Sequence, residues 1–258
     1  MDMEKIKQAG IAAAFASGRI LSSKFGNISS IVKKGRIDLV TEADTESEKA
    51  VIDVIRSCFP HHAILCEESG DLPGDQACQW IVDPLDGTTN FAHALPLFST
   101  SIAFALNGAV TMGVVHNPVM GELFTAVEGQ GAFLNGKQIH AANQNTLTDC
   151  LLVTGFPYNF KDYFEEIISR FSRCLEASQG VRRLGSAALD LCYVACGRFD
   201  GYWEQNLKPW DTAAGQLIAK EAGARVTDFS NRPFDPWMKE IAVGNPAVHK
   251  ELLSLLTV

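Results

Sequence analysis

A chain of 258 residues, 47% hydrophobic and 20% charged, has the composition of a globular protein with one large domain or two closely packed halves. Its formal net charge of −8 argues against a general nucleic-acid grip, which needs a basic face. A local basic patch stays open, and an anionic substrate would need local positive charge, which a bound metal can supply.

The elements follow in chain order. Residues Met1 to Lys7 carry mixed charge, with no basic segment running into an apolar one, so no signal peptide is expected. No stretch reaches the ~20 apolar residues needed to cross a bilayer, and a cytoplasmic location is expected. A helix is predicted from about Met3 to Phe25, ending near Gly26. The basic stretch Lys33, Lys34, Gly35, Arg36 reads as an exposed loop. A second helix is predicted from near Thr45, with Glu48 as its capping-box partner. Val51, Ile52, Ile55, Cys58 and Phe59 follow helical spacing, and Pro60 stops it.

Strands dominate the middle. Ala63 to Cys66 leads into Glu67 and Glu68, and Gln79 to Val82 leads into Asp83. Phe98 to Leu106, Val110 to His116 and Glu122 to Glu128 alternate with Gly-containing turns. Phe133 to Ile139 holds Asn135-Gly136, a tight-hairpin signal. Residues 98–139 therefore read as an antiparallel meander. The second half alternates: strands at Leu151 to Phe156, Asp200 to Glu204, Arg225 to Phe229 and Ile241 to Val243, and helices at Tyr163 to Ala177, Ser186 to Gly197, Thr212 to Ala222 and Ala247 to Leu256. The fold class is α/β. The seven Cys are odd in number and form no Cys-x-x-Cys pair, the pattern of reduced core residues. Cys192 and Cys196 share a helical face, but two soft ligands make a poor zinc site.

The run Trp-Ile-Val-Asp-Pro-Leu-Asp-Gly-Thr-Thr-Asn-Phe-Ala-His at 80–93 carries most of the chemistry. An apolar strand runs directly into Asp83 and Asp86, and unpaired carboxylates at a sheet end are costly unless a cation meets them. Hard divalent ions such as Mg²⁺ prefer carboxylate and carbonyl oxygens. Pro84 fixes φ, so both side chains and the Leu85 carbonyl can converge on a small volume. Gly87 permits close approach to the backbone, and the N–H groups after it suit an anion if a helix begins there. Metal and anion together suggest a phosphate ester. Each acid also has a plainer reading: Asp83 as a turn former, Asp44 and Asp211 as helix N-caps, Asp86-Gly87 as a hairpin turn. The six His lie in no recognisable nucleophile motif. A calcium loop at 83–90 fails the EF-hand spacing, because Leu85 and Gly87 fall where oxygen donors belong.

Trp80 to His93 resembles the first signature of the inositol monophosphatase family of Mg²⁺-dependent, Li⁺-sensitive phosphatases. Trp210-Asp211-Thr212-Ala213-Ala214-Gly215 looks like its second signature, Glu67-Glu68-Ser69 like its Glu-Glu-Ser element, and Asp38-Leu39-Val40-Thr41-x-x-Asp44 like its N-terminal element. Order and separation of all four fit, so the resemblance spans nearly the whole chain. The stretches 183–190 and 207–210 look most like bacterial members of the extragenic-suppressor type.

The resemblance implies an alternating αβαβα sandwich, a single domain over 1–258 with halves at roughly 1–145 and 146–258, and a homodimer. It implies two or three Mg²⁺ per site, held by Glu67, Asp83, the Leu85 carbonyl, Asp86 and Asp211. Asp44 and Thr88 would orient and deprotonate the attacking water. Backbone N–H groups of Gly87 and Thr88, with Thr89 beside them, would hold the phosphate. Gly185, Ser186, Ala187 and Glu204, with Asp86, would line the alcohol side. Lys208 stands where animal members commonly carry His, and either contacts substrate or marks the bacterial branch. Lys33 and Lys34 either close over phosphate or are solvated loop charges. The implied substrate is inositol 1-phosphate or another sugar or polyol phosphate; a second implied role is protein contact with the transcription machinery.

Overall fold

The computed structural model describes residues 1–27 and 39–257, together with the backbone of 31–33. The expectations for the side chain of Lys33 and for Lys34, Arg36 and Asp38 fall outside the described residues.

The chain begins with α1 (Met3–Lys24), capped by Asp2. A two-stranded antiparallel pair follows, β1 (Ile31–Lys33) with β2 (Leu39–Thr41). Helix α2 (Glu42–Cys58) starts three residues before the predicted Thr45. Its N-cap is Thr41, and the residue that completes the capping box is Asp44, not Glu48. Asp44 accepts from the Thr41 N–H, so the cap was available four residues earlier than the Thr45–Glu48 spacing suggested.

The large sheet takes β3 (His62–Cys66), β4 (Gly70–Leu72), β5 (Asp75–Asp86), β6 (Ser99–Leu106), β7 (Ala109–Asn117), β8 (Glu122–Val127), β9 (Ala132–Leu134) and β10 (Lys137–Ile139), in the order β10-β9-β8-β7-β6-β5-β3-β4. Residues 99–139 form the expected meander, and Asn135 and Gly136, both at positive φ, make the β9–β10 turn. Among the described residues, only β3 and β5 run parallel in this sheet. Alternation along β5 sorts its side chains: Trp80 and Val82 pack with Ile6, Ala13, Val51 and Ile55 of α1 and α2, while Ile81 joins the opposite core.

That opposite core is built on α5 (Ala187–Ala195) and α6 (Pro209–Glu221). Leu191, Cys192, Ala213 and Leu217 pack Ile81, Ala103 and Val115 on one side, and Val153, Tyr202 and Val243 of the second sheet on the other. The second sheet comprises β11 (Leu151–Thr154), β12 (Gly180–Arg182), β13 (Gly201–Gln205), β14 (Arg225–Thr227) and β15 (Glu240–Gly244), in the order β12-β11-β13-β15-β14. Its outer face packs Leu152, Trp203 and Ala242 with Cys174 of α4 (Phe164–Ala177) and Val248 and Leu252 of α7 (Pro246–Leu256). The layers are helix, sheet, helix, sheet, helix, as the αβαβα expectation required.

All seven Cys are free; five are buried, but Cys58 is exposed at the end of α2 and Cys196 half-buried after α5. No helix among the described residues is long and apolar enough to cross a membrane.

Candidate active site

The predicted strand end at Asp83 is a bulge. Asp83 pairs with Ser101 and Asp86 with Ser99, so three steps along β5 oppose two along β6. One extra residue in a strand bends it and re-aims its side chains, and here that residue belongs to Pro84-Leu85. Pro84 has no N–H to lose from the ladder. Its carbonyl accepts from the Thr100 hydroxyl at 3.1 Å and the Ser17 hydroxyl at 3.4 Å. The Leu85 N–H donates to Asp83 Oδ1 at 2.9 Å.

Gly87 follows at φ 93° and caps the short helix α3 (Thr88–Ala92), with no side chain capping the first-turn amides. A Cβ on Gly87 would lie 2.9 Å from the Leu97 carbonyl oxygen and 3.3 Å from that of Gly185. The close approach Gly87 permits is therefore to the protein's own backbone. Asn90, which the sequence marked only as part of the 80–93 run, holds this junction: its Nδ2 donates to Leu97 O at 2.7 Å and to Leu184 O at 2.8 Å.

The Thr88 hydroxyl is 3.0 Å from both Asp44 Oδ1 and the Leu85 carbonyl oxygen. Asp44 is completely buried. Burial pushes its carboxyl above the ordinary range, against hydrogen bonds from Thr41 and Thr88 that pull it down. Thus Asp44 is not the N-cap, which is Thr41; from the third helical position it closes the capping box of α2 and also accepts from Thr88.

Asp83 is 2% exposed. Burial raises its carboxyl well above the ordinary range, and the negative charges of Glu67, Asp86 and Asp211 raise it further. Asp86 is turned toward the start of α5: Oδ2 accepts from Ser186 Oγ at 2.5 Å and the Ala188 N–H at 2.8 Å, and Oδ1 from the Ala187 N–H at 3.3 Å. Burial pushes it up to about 6 against those three bonds. Asp211, half-buried in the first turn of α6, accepts from the Lys208 N–H at 2.7 Å. Lys208 itself is exposed.

On the far wall, Glu204 of β13 accepts from the Tyr202 hydroxyl at 2.8 Å and is pushed up to about 7, chiefly by burial. Its carboxylate lies over Gly155, where a Cβ would come within 2.0 Å of Oε2. Gly185 takes φ 90° just before α5. Thr89 is exposed on α3. Gly155 carried no sequence signal because Glu204, which lies over it, is remote along the chain; Tyr202, only two positions from Glu204, was read as part of a strand and not as a partner. Asp190, one turn into α5, was quoted only within a motif; it is 1% exposed, and neither carboxylate oxygen has a hydrogen-bond partner among the described residues.

Glu67, Asp83, Asp86, Asp211 and the Leu85 carbonyl are all hard oxygen donors, the set that Mg²⁺ takes. Their mutual repulsion at Asp83 is what a divalent cation would relieve. As they stand, no three acidic, His or Cys side chains among the described residues meet closely enough to hold an ion; Asp86 and Asp211 are engaged with backbone N–H groups instead. The donor chemistry fits the metal, and the bonds that restrain these two acids are with backbone amides and one hydroxyl.

Residues 2–257 match the family model described as the inositol monophosphatase family. The chain belongs to that family. Among curated members it is 42% identical to the Nus factor SuhB of Escherichia coli strain K12, over 98% of this chain and 96% of that one. It is also 42% identical to an inositol-1-monophosphatase of Synechocystis, over 99% of this chain and 90% of that one. Two solved members share the architecture. The extragenic suppressor protein suhB of Bartonella henselae superposes with a TM-score of 0.94 at 38% identity, covering 98% of each chain. The inositol monophosphatase of Anabaena does so with a TM-score of 0.91 at 39% identity, covering 99% of this chain and 96% of that one. Membership makes a phosphatase the activity class of the site.

Proposed function

We propose that the chain is a Mg²⁺-dependent phosphomonoesterase that hydrolyses inositol 1-phosphate or a related sugar or polyol phosphate by attack of water. The observation that carries this reading is the Thr88–Asp44 hydrogen bond set beside the buried Asp83 and its three acidic neighbours.

Glu67, Asp83, the Leu85 carbonyl, Asp86 and Asp211 would hold the two or three Mg²⁺ ions. Bound there, Mg²⁺ supplies positive charge for the transferring phosphoryl group and lowers the pKa of water. The Thr88 hydroxyl can accept a proton from the attacking water while passing its own to Asp44 Oδ1. Burial fits Asp44 for that task, since a base works best with a pKa nearer neutrality. The first-turn amides at Gly87 and Thr88, with Thr89 beside them, face the phosphate. Gly185, Ser186, Ala187 and Glu204 line the alcohol side, where a carboxylate accepts hydrogen bonds from hydroxyl groups. No side chain becomes phosphorylated.

The test is phosphate release from inositol 1-phosphate, fructose 1,6-bisphosphate, histidinol phosphate, NADP⁺ and 3′-phosphoadenosine 5′-phosphate, with and without Mg²⁺ and then with Li⁺. Release that requires Mg²⁺ and falls with Li⁺ is expected, fastest with inositol 1-phosphate. No metal-dependent release from any of the five would overturn the reading.

A second reading rests on the 42% identity to a relative named as a Nus factor. The chain would then also contact the transcription machinery through protein surfaces, in the cytoplasm and as a homodimer. Affinity capture that recovers no transcription factor would reject that role.

A further inference from the structure

We infer that Glu48 is a positioning residue of the candidate metal centre: its carboxylate clamps the turn at Glu68-Ser69 and thereby aims Glu67 toward Asp83. This rests on the reading of Glu67 as a metal ligand.

Glu48 lies one turn beyond Asp44 on α2 and is 3% exposed. Its Oε2 accepts the Glu68 N–H at 2.9 Å, and its Oε1 accepts the Ser69 hydroxyl. On the other side of the turn, the Glu67 N–H donates to the Val82 carbonyl at 3.2 Å. That bond carries the parallel β3–β5 ladder one residue past Cys66. Consecutive amides are thus tied to opposite supports, Glu67 to β5 and Glu68 to α2. The Cα that carries the Glu67 side chain sits between the two anchors.

The geometry argues against a packing role alone. A neutral apolar side chain would fill the same space, but only a group with two acceptor oxygens can take the Glu68 N–H on one and the Ser69 hydroxyl on the other. Helix α2 then bears two functions one turn apart. Asp44 takes the Thr88 hydroxyl, and Glu48 holds the turn that presents Glu67, so one rigid element sets the distance between the base and a metal ligand. Partners that orient metal ligands in this way typically govern affinity for the ion.

The experiment uses the full chain and Mg²⁺ alone, titrated calorimetrically, together with hydrogen exchange at the Glu68 amide in metal-free protein. Glu48→Ala is expected to weaken Mg²⁺ binding about 10- to 100-fold and to speed exchange at Glu68, with kcat at saturating Mg²⁺ near that of the unsubstituted chain. Glu48→Gln retains one acceptor and should fall between. Ser69→Ala removes one bond without touching α2, and keeps the test decisive if Glu48→Ala does not fold. Glu46→Gln, at an exposed position of the same helix, should leave Mg²⁺ affinity unchanged. Retained Mg²⁺ affinity in Glu48→Ala and Ser69→Ala would overturn this inference alone. Absence of Mg²⁺ binding by the unsubstituted chain would overturn the metal reading and this inference with it.

Discussion

Asp86 joins the two walls of the site. Its oxygens face a hydroxyl and two amides at the start of α5, while its charge bears on Asp83 and Asp211. Asp86→Asn keeps one acceptor oxygen for those donors but removes the charge a metal needs. Turnover should fall by at least about 10²-fold with the circular-dichroism spectrum unchanged; retained kcat would remove Asp86 from the metal set. Asp190 is the opposite case, a buried acid with unpaired oxygens. Burial raises its carboxyl well above the ordinary range, and Glu204 and Asp86 add to the rise. An unpaired buried acid costs stability, which proteins tolerate near functional sites. Asp190→Asn should therefore raise the thermal midpoint, by roughly 1 kcal/mol of stability; a lower midpoint in calorimetry would mean that the carboxyl has a partner in solution.

Among the elements, β13 and the residue that follows β11 together build the proposed alcohol wall. Glu204 can lie where it does because position 155 has no Cβ. Gly155→Ala must push the carboxylate aside, so KM for inositol 1-phosphate should rise about tenfold while p-nitrophenyl phosphate, which offers no such hydroxyls, is turned over as before. An equal loss on both substrates would count against Glu204 as the polyol contact. The long elements were legible from sequence because their periodicity is local: α1, α7 and the meander lie within a few residues of their predicted ends. The acids of 83–86 were legible because they are contiguous with their strand. The short strands β4 and β12 and the five-residue α3 have too few residues for a period to show. Glu48 was read as a cap because its real partners, Glu68 and Ser69, stand 20 and 21 positions away. Gly155 was silent for the same reason, and the bond of Asn90 to Leu184, 94 positions away, was unreadable likewise.

Across the whole molecule, His residues held neutral by burial contribute to the response to acid. His249 of α7 is buried, its Nε2 3.0 Å from the Thr227 hydroxyl. Burial, with help from the Arg225 charge, pulls it down to about 4; burial likewise lowers His62 and His116. A base whose folded-state pKa lies below its unfolded value near 6.5 takes its proton first in the unfolded chain. Its stabilisation is thus complete above pH 6.5 and is lost as pH falls toward 4. For His249 the loss is on the order of 3 kcal/mol. Urea midpoints between pH 7 and 4 should fall less steeply in His249→Asn than in the unsubstituted chain; parallel slopes would refute the assignment.

The bond between Asp86 and Ser186 closes a span of 100 residues, and its meaning extends to synthesis. A ribosome adding about 5 to 20 residues per second needs on the order of 5 to 20 s to cover that span. During that interval the nascent chain already carries Asp44, Glu67, Asp83 and Thr88, but not the amides of α5, Glu204 or Asp211. An unfinished chain therefore displays its acids without the wall that would hold an alcohol, and the proposed ligand set is complete only once Asp211 has been added.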